Sequence, residues 1–361
     1  MKGGEWLEMV YVAVDIGKRR CVTCVMGEDG SILDTSSYPN TFLDASLYAK
    51  QIVDRYGSEC KAVVESTGNM CMKTYEAFES NGVEVKLANP VKTRAIAEAR
   101  VKTDKLDSKI LAHLLRADLI AECYVPSRDV RLSRALLSHR VNITREQTRM
   151  KNRIHSLLDK YDLECKYDDI FGAHGMRWLH TIQLNGHDHE ILQSLLRELI
   201  FLQDEEETAN STIAKDALHS QYVPIIMSMT GFNYYSASVL AAYIADISRF
   251  PSPSHLVSWV GLCPSVYQTG ESLYMGRMKG GSRKVKWIMI QAANTAIRTD
   301  PRMKAYYERK LRRHHHNLAV THVANKMLRI IWHMLRENRL YNERKERLYE
   351  SELKRMTRTA E

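Results

Sequence analysis

YVAVDIG, residues 11–17, is a short apolar run that ends in an acid, Asp15, and then a glycine. A second run, KAVV at residues 61–64, ends in Glu65. Both runs have the length and apolar character of buried strands. An ionised carboxylate at the end of a buried strand is costly unless it is paired, hydrogen-bonded or bound to a metal. The two runs therefore predict a sheet with acids at two strand ends.

The segments around these runs predict the rest of the sheet. Residues 11–15, 21–27 and 31–38 have strand patterns, with a hairpin turn at 28–30. Helices predicted over 44–56 and 70–80 alternate with the strand that ends at Glu65 and with another over 83–87. Three hairpin-linked strands followed by β-α-β units predict a mixed α/β sheet.

Asp104 and Asp107 stand three residues apart at the start of a helical pattern, so a helix would place both carboxylates on one face. Two strand-end acids and one helical pair can form an oxygen-rich site for a hard divalent cation, Mg²⁺ or Mn²⁺. Such metals assist phosphodiester chemistry. The structural alternatives are an N-cap at Asp104, a dipole-stabilising Asp107 and a turn residue at Asp15.

Composition favours a polyanionic partner. The 361 residues carry a formal net charge of +9. Seven scattered cysteines, with a lone CxxC at 21–24, predict reduced core thiols rather than a zinc or redox site. The sequence shows neither a signal-peptide pattern nor an apolar stretch of membrane-spanning length, so we expect an intracellular protein with no membrane partner.

The middle of the chain is predicted to be helical. Residues 129–160 hold eight basic residues against three acids, which predicts either a surface that follows a nucleic-acid backbone or a solvated helix face. A leucine-rich helix follows the polar stretch 161–189, which we interpret as a linker. The two long helices would form either an antiparallel coiled coil that dimerises the protein or an internal hairpin.

The C-terminal part contains a pattern similar to a helix-hairpin-helix. Residues 229–232, MTGF, precede a predicted helix over 236–247, and a glycine turn of this kind lets backbone amides approach a DNA phosphate. Residues 265–278 are rich in small polar residues, 280–281 form a glycine turn, and 284–297 are predicted to be helical.

Several motifs together resemble one known family. They are VAVD at 12–15, VESTG at 64–68, KTDKLD at 102–107, Gly231, residues 241–250, WVGLCP at 259–264 and Gly270. These motifs look like those of the DEDD transposases of the insertion-sequence one-ten family. The resemblance, together with the helical patterns of the middle and the C-terminal end, predicts an α/β fold with four parts. They are an RNase H-like (RuvC-like) catalytic domain at 9–125, a helical connector at 126–215, a smaller, mainly helical transposase domain at 221–310 and a basic helical tail at 311–361.

The resemblance also implies a function and partners. It implies a prokaryotic, cytoplasmic and nucleoid-associated recombinase of a mobile element, which acts on donor and target DNA. Members of the family act with a structured guide RNA, called a bridge RNA, that pairs with both DNAs. A homo-oligomer, a dimer or a tetramer, is expected.

The resemblance assigns roles to individual residues. Asp15, Glu65, Asp104 and Asp107 would bind the metal, and a serine just before the glycine aligned with Gly270 would become linked to DNA. This chain has Thr269 there, which keeps the hydroxyl but adds a methyl group that crowds attack. Ser265 and Ser272 are the neighbouring hydroxyls. Thr269 as an ordinary strand or turn residue is the structural alternative.

Two rival functions remain open at the level of sequence, and a third lacks the motifs that it needs. A RuvC-like nuclease would hydrolyse DNA with the same acids and no protein nucleophile. A nucleic-acid-binding descendant would have lost catalysis. An actin-like ATPase would use VDIG at 14–17 as a phosphate loop, but the sequence shows no second Asp-x-Gly strand turn and no glycine-rich adenosine site.

Overall fold

The structure is a computed structural model that describes residues 9–57, 59–66, 68, 70–98, 108–269, 272–278, 280–341 and 346–360. The chain divides into two compact units, Met1–Val125 and Pro126–Glu361. Asp104 and Asp107 lie outside the described residues, so their predicted helical pairing stays a prediction.

The described part of the N-terminal unit contains one five-stranded mixed sheet in the order β3-β2-β1-β4-β5. The first three strands form an antiparallel meander, whereas β4 and β5 run parallel to β1. This order and these directions confirm the predicted mixed sheet and the RNase H-like fold. The strands are β1 (Val10–Ile16), β2 (Arg20–Met26), β3 (Ile32–Pro39), β4 (Cys60–Glu65) and β5 (Glu84–Ala88).

Helices cover both faces of this sheet because alternate side chains of β1 and β4 point to opposite faces and both sets are apolar. Val14 and Val64 are buried in one cluster, with residues of α1 and α2. Ala13 and Val63 are buried in the other, with Leu111 and other residues of α4. The helices of this unit are α1 (Phe42–Tyr56), α2 (Cys71–Ser80), α3 (Pro90–Glu98) and α4 (Ser108–Arg116).

The described part of the C-terminal unit consists of helices and a small hairpin. Its helices up to the hairpin are α5 (Arg128–Asp159), α6 (Ala173–Thr181), α7 (His187–Leu218), α8 (Tyr222–Ser228), α9 (Tyr234–Ile244) and α10 (Pro253–Val260). The hairpin consists of β6 (Pro264–Thr269) and β7 (Ser272–Met278). The remaining helices are α11 (Arg283–Thr299), α12 (Pro301–Leu311), α13 (His316–Arg336) and α14 (Glu346–Ala360).

The two long helices α5 and α7 form an internal antiparallel pair. Lys160, just after α5, bonds to Asp188 at the start of α7, whereas Arg140 contacts Glu206 farther along α7. The side-chain amide of Gln147 also donates to the backbone carbonyl of Leu202, at 2.9 Å. An internal helical hairpin is therefore present, and dimerisation through these helices stays a prediction.

The interpretation of residues 161–189 as a linker was wrong. Helix α6 lies within this stretch, and its Leu179 is fully buried in a cluster with Ile154 of α5 and Leu196 of α7. The apolar side of α6 is only a few residues long and is surrounded by histidines and charged residues, which concealed its helical period.

One buried cluster joins most of the C-terminal unit. It includes Leu137 of α5, Ile213 of α7, Met289 of α11, Val323 of α13 and Met356 of α14. The boundaries that the sequence suggested near 215–221 and 310–311 both fall inside this unit. The last helices thus contribute side chains to this core.

Candidate active site

Asp15 and Glu65 occupy matching positions on two neighbouring strands. β1 and β4 are parallel, with Val14 opposite Val64, and the two acids are the next residue on each strand. Both side chains are half-buried. By alternation they point to the same face as Ala13 and Val63, which α4 covers. The structure therefore brings together the two strand-end acids that the sequence singled out.

The two carboxylates perturb each other. Burial raises the pKa of Glu65 above its usual value, and the charge of Asp15 raises it further, while Arg94 on α3 lowers it. Two acids that share a partly desolvated site resist ionising together, and this is typical of sites that bind cations or move protons.

Helix α4 directs its N-terminal end toward the same edge of the sheet. Arg116, its last residue, donates to the backbone carbonyl of Glu28 at 3.0 Å, in the β2–β3 turn next to the start of β1. The opposite end of α4 therefore points toward the edge where β1 and β4 end. Ser108, its first residue, is buried and directly follows Asp107 in the chain.

Cationic residues lie at the same edge of the sheet as the acid pair. The turn between β1 and β2 carries Lys18 and Arg19, both exposed, at the edge of the sheet where Asp15 lies. Gly17 makes this turn possible, because a Cβ at that position would lie 2.3 Å from the backbone carbonyl oxygen of Arg20. This edge of the sheet therefore offers carboxylate oxygens flanked by positive charge.

The donor set fits a hard divalent cation. Two half-buried carboxylates that repel each other gain from a cation between them, and oxygen is the donor that Mg²⁺ and Mn²⁺ prefer. Within the described residues there is no group of three or more acidic, histidine or cysteine side chains placed to hold a metal. Asp104 and Asp107, which would complete the set, are outside those residues.

Thr269 is the last residue of β6, with Ser272, the first residue of β7, as its Cα partner. Ser265 lies near the start of the same hairpin. The backbone position of Thr269, at the end of a strand, is the one that the structural alternative in the sequence described. The hairpin positions the three candidate hydroxyl residues on one small element of the C-terminal unit.

Gly231 has a structural role that the sequence did not reveal. Its φ is +100°, and a Cβ there would lie 2.3 Å from the backbone carbonyl oxygen of Ala292 on α11. The glycine between α8 and α9 is therefore required by its close approach to another helix. The contact between this glycine turn and a DNA phosphate, which the sequence suggested, stays a prediction.

The basic stretch 129–160 is neither a uniform nucleic-acid surface nor a simple solvated face. Arg134 donates to the backbone carbonyls of Ala242 and Tyr243, at 2.9 and 3.1 Å. Arg140 pairs with Glu206 and lies over the ring of Tyr235. These two arginines hold α5 against α7 and α9. Other basic residues of the stretch, such as Arg145, remain exposed.

Two family models match the chain. One, for DEDD transposases of the IS110 type and described as "Transposase", matches residues 12–162. The other, described as "Transposase IS116/IS110/IS902 family", matches residues 223–308. The chain belongs to this family of transposases. The first match contains all four predicted acids and the second contains the hairpin with Thr269.

Curated relatives agree with this assignment. A 43.6 kDa protein of insertion element IS110 from Streptomyces coelicolor is 31% identical, over 34% of this chain and 30% of the relative. A 42 kDa protein of insertion element IS900 from Mycobacterium paratuberculosis is 30% identical, over 42% of this chain and 39% of the relative. The transposase of insertion element IS1328 from Yersinia enterocolitica is 22% identical, over 70% of this chain and 76% of the relative. The first two matches thus span well under half of those relatives.

None of the described helices is long and apolar enough to cross a membrane.

Proposed function

We propose that this member of the transposase family cuts and rejoins DNA by metal-assisted phosphoryl transfer through a protein hydroxyl. The observation that carries the proposal is the placement of Asp15 and Glu65 side by side at the ends of two parallel strands. The matched family gives this pair its chemical context. The substrates would be the donor and target DNA of a mobile insertion element.

Asp15 and Glu65 would hold a divalent cation, Mg²⁺ or Mn²⁺, together with Asp104 and Asp107. When bound, such a cation stabilises charge on the reacting phosphate oxygens. The acids themselves fix the position of the site and keep it anionic. Lys18, Arg19 and Arg94 supply positive charge at the same edge of the sheet, which would orient the DNA backbone against the acids.

Thr269 would supply the attacking hydroxyl. In this step a bond forms between the Thr269 oxygen and phosphorus, and the bond from phosphorus to the leaving strand oxygen breaks. The proton leaves the hydroxyl for a base or for water, and the departing strand oxygen takes up a proton. A second transfer, from Thr269 to the new strand end, would rejoin the DNA and restore the free hydroxyl.

A structured guide RNA would choose the DNA sequences. Its support is the resemblance to the family, together with the net charge of +9, which suits a polyanionic partner. A dimer or tetramer would bring together the donor and target sites.

The experiment is a DNA-joining assay with the wild-type protein, its guide RNA and both DNAs. Replacing any of the four acids by alanine should abolish joining, and so should excess chelator. Glu84→Ala is the matched control, because Glu84 is an exposed acid at the start of β5, at the other end of the sheet, and should leave joining intact. Joining that persists in chelator would overturn the proposal. Metal-dependent cleavage without joining would support the RuvC-like nuclease instead.

A further inference from the structure

The C-terminal unit contains a cavity of about 410 Å³ that the chemistry above does not use. It lies between three helices. α5 and the first two turns of α11 form its walls, and α9 forms its floor. Its volume falls within the range of pockets that hold small organic ligands.

Cation–π contacts and a hydrogen bond fix the two tyrosines that form the floor of the cavity. Tyr235 and Tyr243 of α9 stand eight residues apart, on one face of that helix. The guanidinium of Arg140 lies 4.4 Å from the ring centroid of Tyr235, and that of Arg134 lies 4.9 Å from the ring centroid of Tyr243. The hydroxyl of Tyr235 also donates to the backbone carbonyl of Leu137 at 3.3 Å. The cavity thus has a floor of two tyrosine rings that are fixed by contacts within the protein.

The charged side chains that line the cavity are all basic. The described residues around the cavity include four basic side chains and no carboxylate. Glu206 offsets one of them, Arg140, from outside the cavity. Arg145, Arg283 and Lys284 are exposed at its rim. Two of these stand in the first turn of α11, where positive charge opposes the helix dipole. An anion at the rim would relieve that repulsion.

The rim also carries a large exposed aromatic side chain. Trp287 is 57% exposed and lies one helical turn after Arg283, on the same face of α11. Exposed tryptophan next to arginine and lysine is the combination on which unpaired bases stack while their phosphates are neutralised. A duplex offers no free base face to such a site.

We propose that this cavity holds one unpaired nucleotide of a single strand. Its base packs against Trp287 and the tyrosine floor, and its phosphates contact Arg145, Arg283 and Lys284. The inference rests on the proposed function, which supplies two sources of such a nucleotide: the guide RNA and a DNA strand opened during recombination. Both share the same base and phosphate chemistry.

The test measures binding of full-length protein to short labelled oligonucleotides in excess chelator, so that catalysis plays no part. The probes are an RNA strand, a DNA strand of the same sequence and the corresponding DNA duplex. The variants are Trp287→Ala, Trp287→Phe and Arg283→Ala. Lys286→Ala is the matched control, because Lys286 stands in the same turn of α11 but does not line the cavity.

We expect Trp287→Ala to weaken single-strand binding by about 5- to 150-fold, the effect of losing one stacked base, and to change duplex binding little. Trp287→Phe should restore most of the affinity. Arg283→Ala should weaken binding more than Lys286→Ala does. If Trp287→Ala lowers the affinity for the RNA probe alone, the site belongs to the guide RNA. If it lowers the affinity for the single-stranded DNA probe alone, the site belongs to the opened DNA strand.

The inference would be overturned if Trp287→Ala lowered the affinity for single strands and for the duplex equally, or if it left the affinity unchanged. Ultraviolet cross-linking of an iodouracil-containing strand gives a second readout, and the cross-linked peptide should contain Trp287. Metal-dependent joining by the wild-type protein is measured separately. A cavity that does not bind a nucleotide can therefore be distinguished from a protein that does not join DNA, since binding in chelator does not depend on the acids.

Discussion

Replacing Asp15 with asparagine should stabilise the metal-free protein while it abolishes activity. The two acids lie on neighbouring parallel strands, and such strands are spaced about 4.8 Å apart. Two unit charges about 5 Å apart repel by about 3 kcal/mol at an effective dielectric constant of about 20, and by about 0.8 kcal/mol in bulk water. Because both side chains are half-buried and Arg94 offsets part of the repulsion, we expect Asp15→Asn to raise the free energy of unfolding by about 1–3 kcal/mol.

The stabilisation by Asp15→Asn should increase as pH rises. Burial and the neighbouring Asp15 raise the pKa of Glu65 in the folded protein. A carboxyl group with a raised folded pKa contributes stability that is complete below its unfolded pKa and is lost as pH rises through the folded pKa. The advantage of Asp15→Asn should therefore be largest near neutral pH and disappear below about pH 4, where the unfolded glutamate is protonated.

Urea unfolding of both proteins in chelator, at pH 7 and at acid pH, measures these differences. Addition of Mg²⁺ should stabilise the wild type more than the variant, because the variant lacks one charged ligand. Glu84→Gln is the control, since Glu84 is exposed and should change stability little. If Asp15→Asn instead destabilises the metal-free protein at pH 7, Asp15 is a structural residue and the reasoning about a repelling pair fails.

Three further predictions follow from contacts in the C-terminal unit. Gly231→Ala should destabilise the protein by about 2–4 kcal/mol, because its φ is +100° and the added Cβ would lie 2.3 Å from the carbonyl oxygen of Ala292; an unchanged urea midpoint would contradict this. Arg134→Gln should cost about 2–3 kcal/mol of stability through the loss of two charge-assisted bonds to carbonyls, and its effect on nucleic-acid affinity, measured by titration under folding conditions, should be small. Single-strand binding should weaken steeply with salt, and the double change Arg283→Ala and Lys284→Ala should reduce the slope of log affinity against log salt by about 1.4, about 0.7 for each phosphate contact; an unchanged slope would show that these residues are only solvated.

The N-terminal sheet was predictable because its strands carry a clear signal. Apolar runs ending in Asp15 and Glu65 gave both the strands and the position of the acids, and β1, β4 and β5 are buried by helices on both faces. The hairpin turn at 28–30 and the helices around it also lie where the sequence indicated. Local pattern and tertiary structure agree in this unit.

The C-terminal unit was harder to predict because its contacts join residues far apart in the chain. Arg134 and Arg140 belong to a basic run, yet their partners are on α9 and α7. Helix α6 was concealed by its polar residues. Gly231, in the turn between α8 and α9, lies close to Ala292 of α11, although the two residues are far apart in the sequence. The cavity beside Trp287 depends on three helices at once, so no local pattern indicated it.

The most direct test of the central claim is peptide mapping of a trapped protein–DNA adduct. Labelled donor and target DNA are incubated with the protein, its guide RNA and Mg²⁺, the reaction is stopped with denaturant, and the linked peptide is sequenced. The prediction is a covalent phosphodiester on Thr269, which is lost in Thr269→Ala and kept or increased in Thr269→Ser, because serine lacks the crowding methyl group. An adduct on Ser265 or Ser272 would move the nucleophile along the hairpin. Cleaved DNA with no adduct on any residue would contradict transfer through a protein hydroxyl.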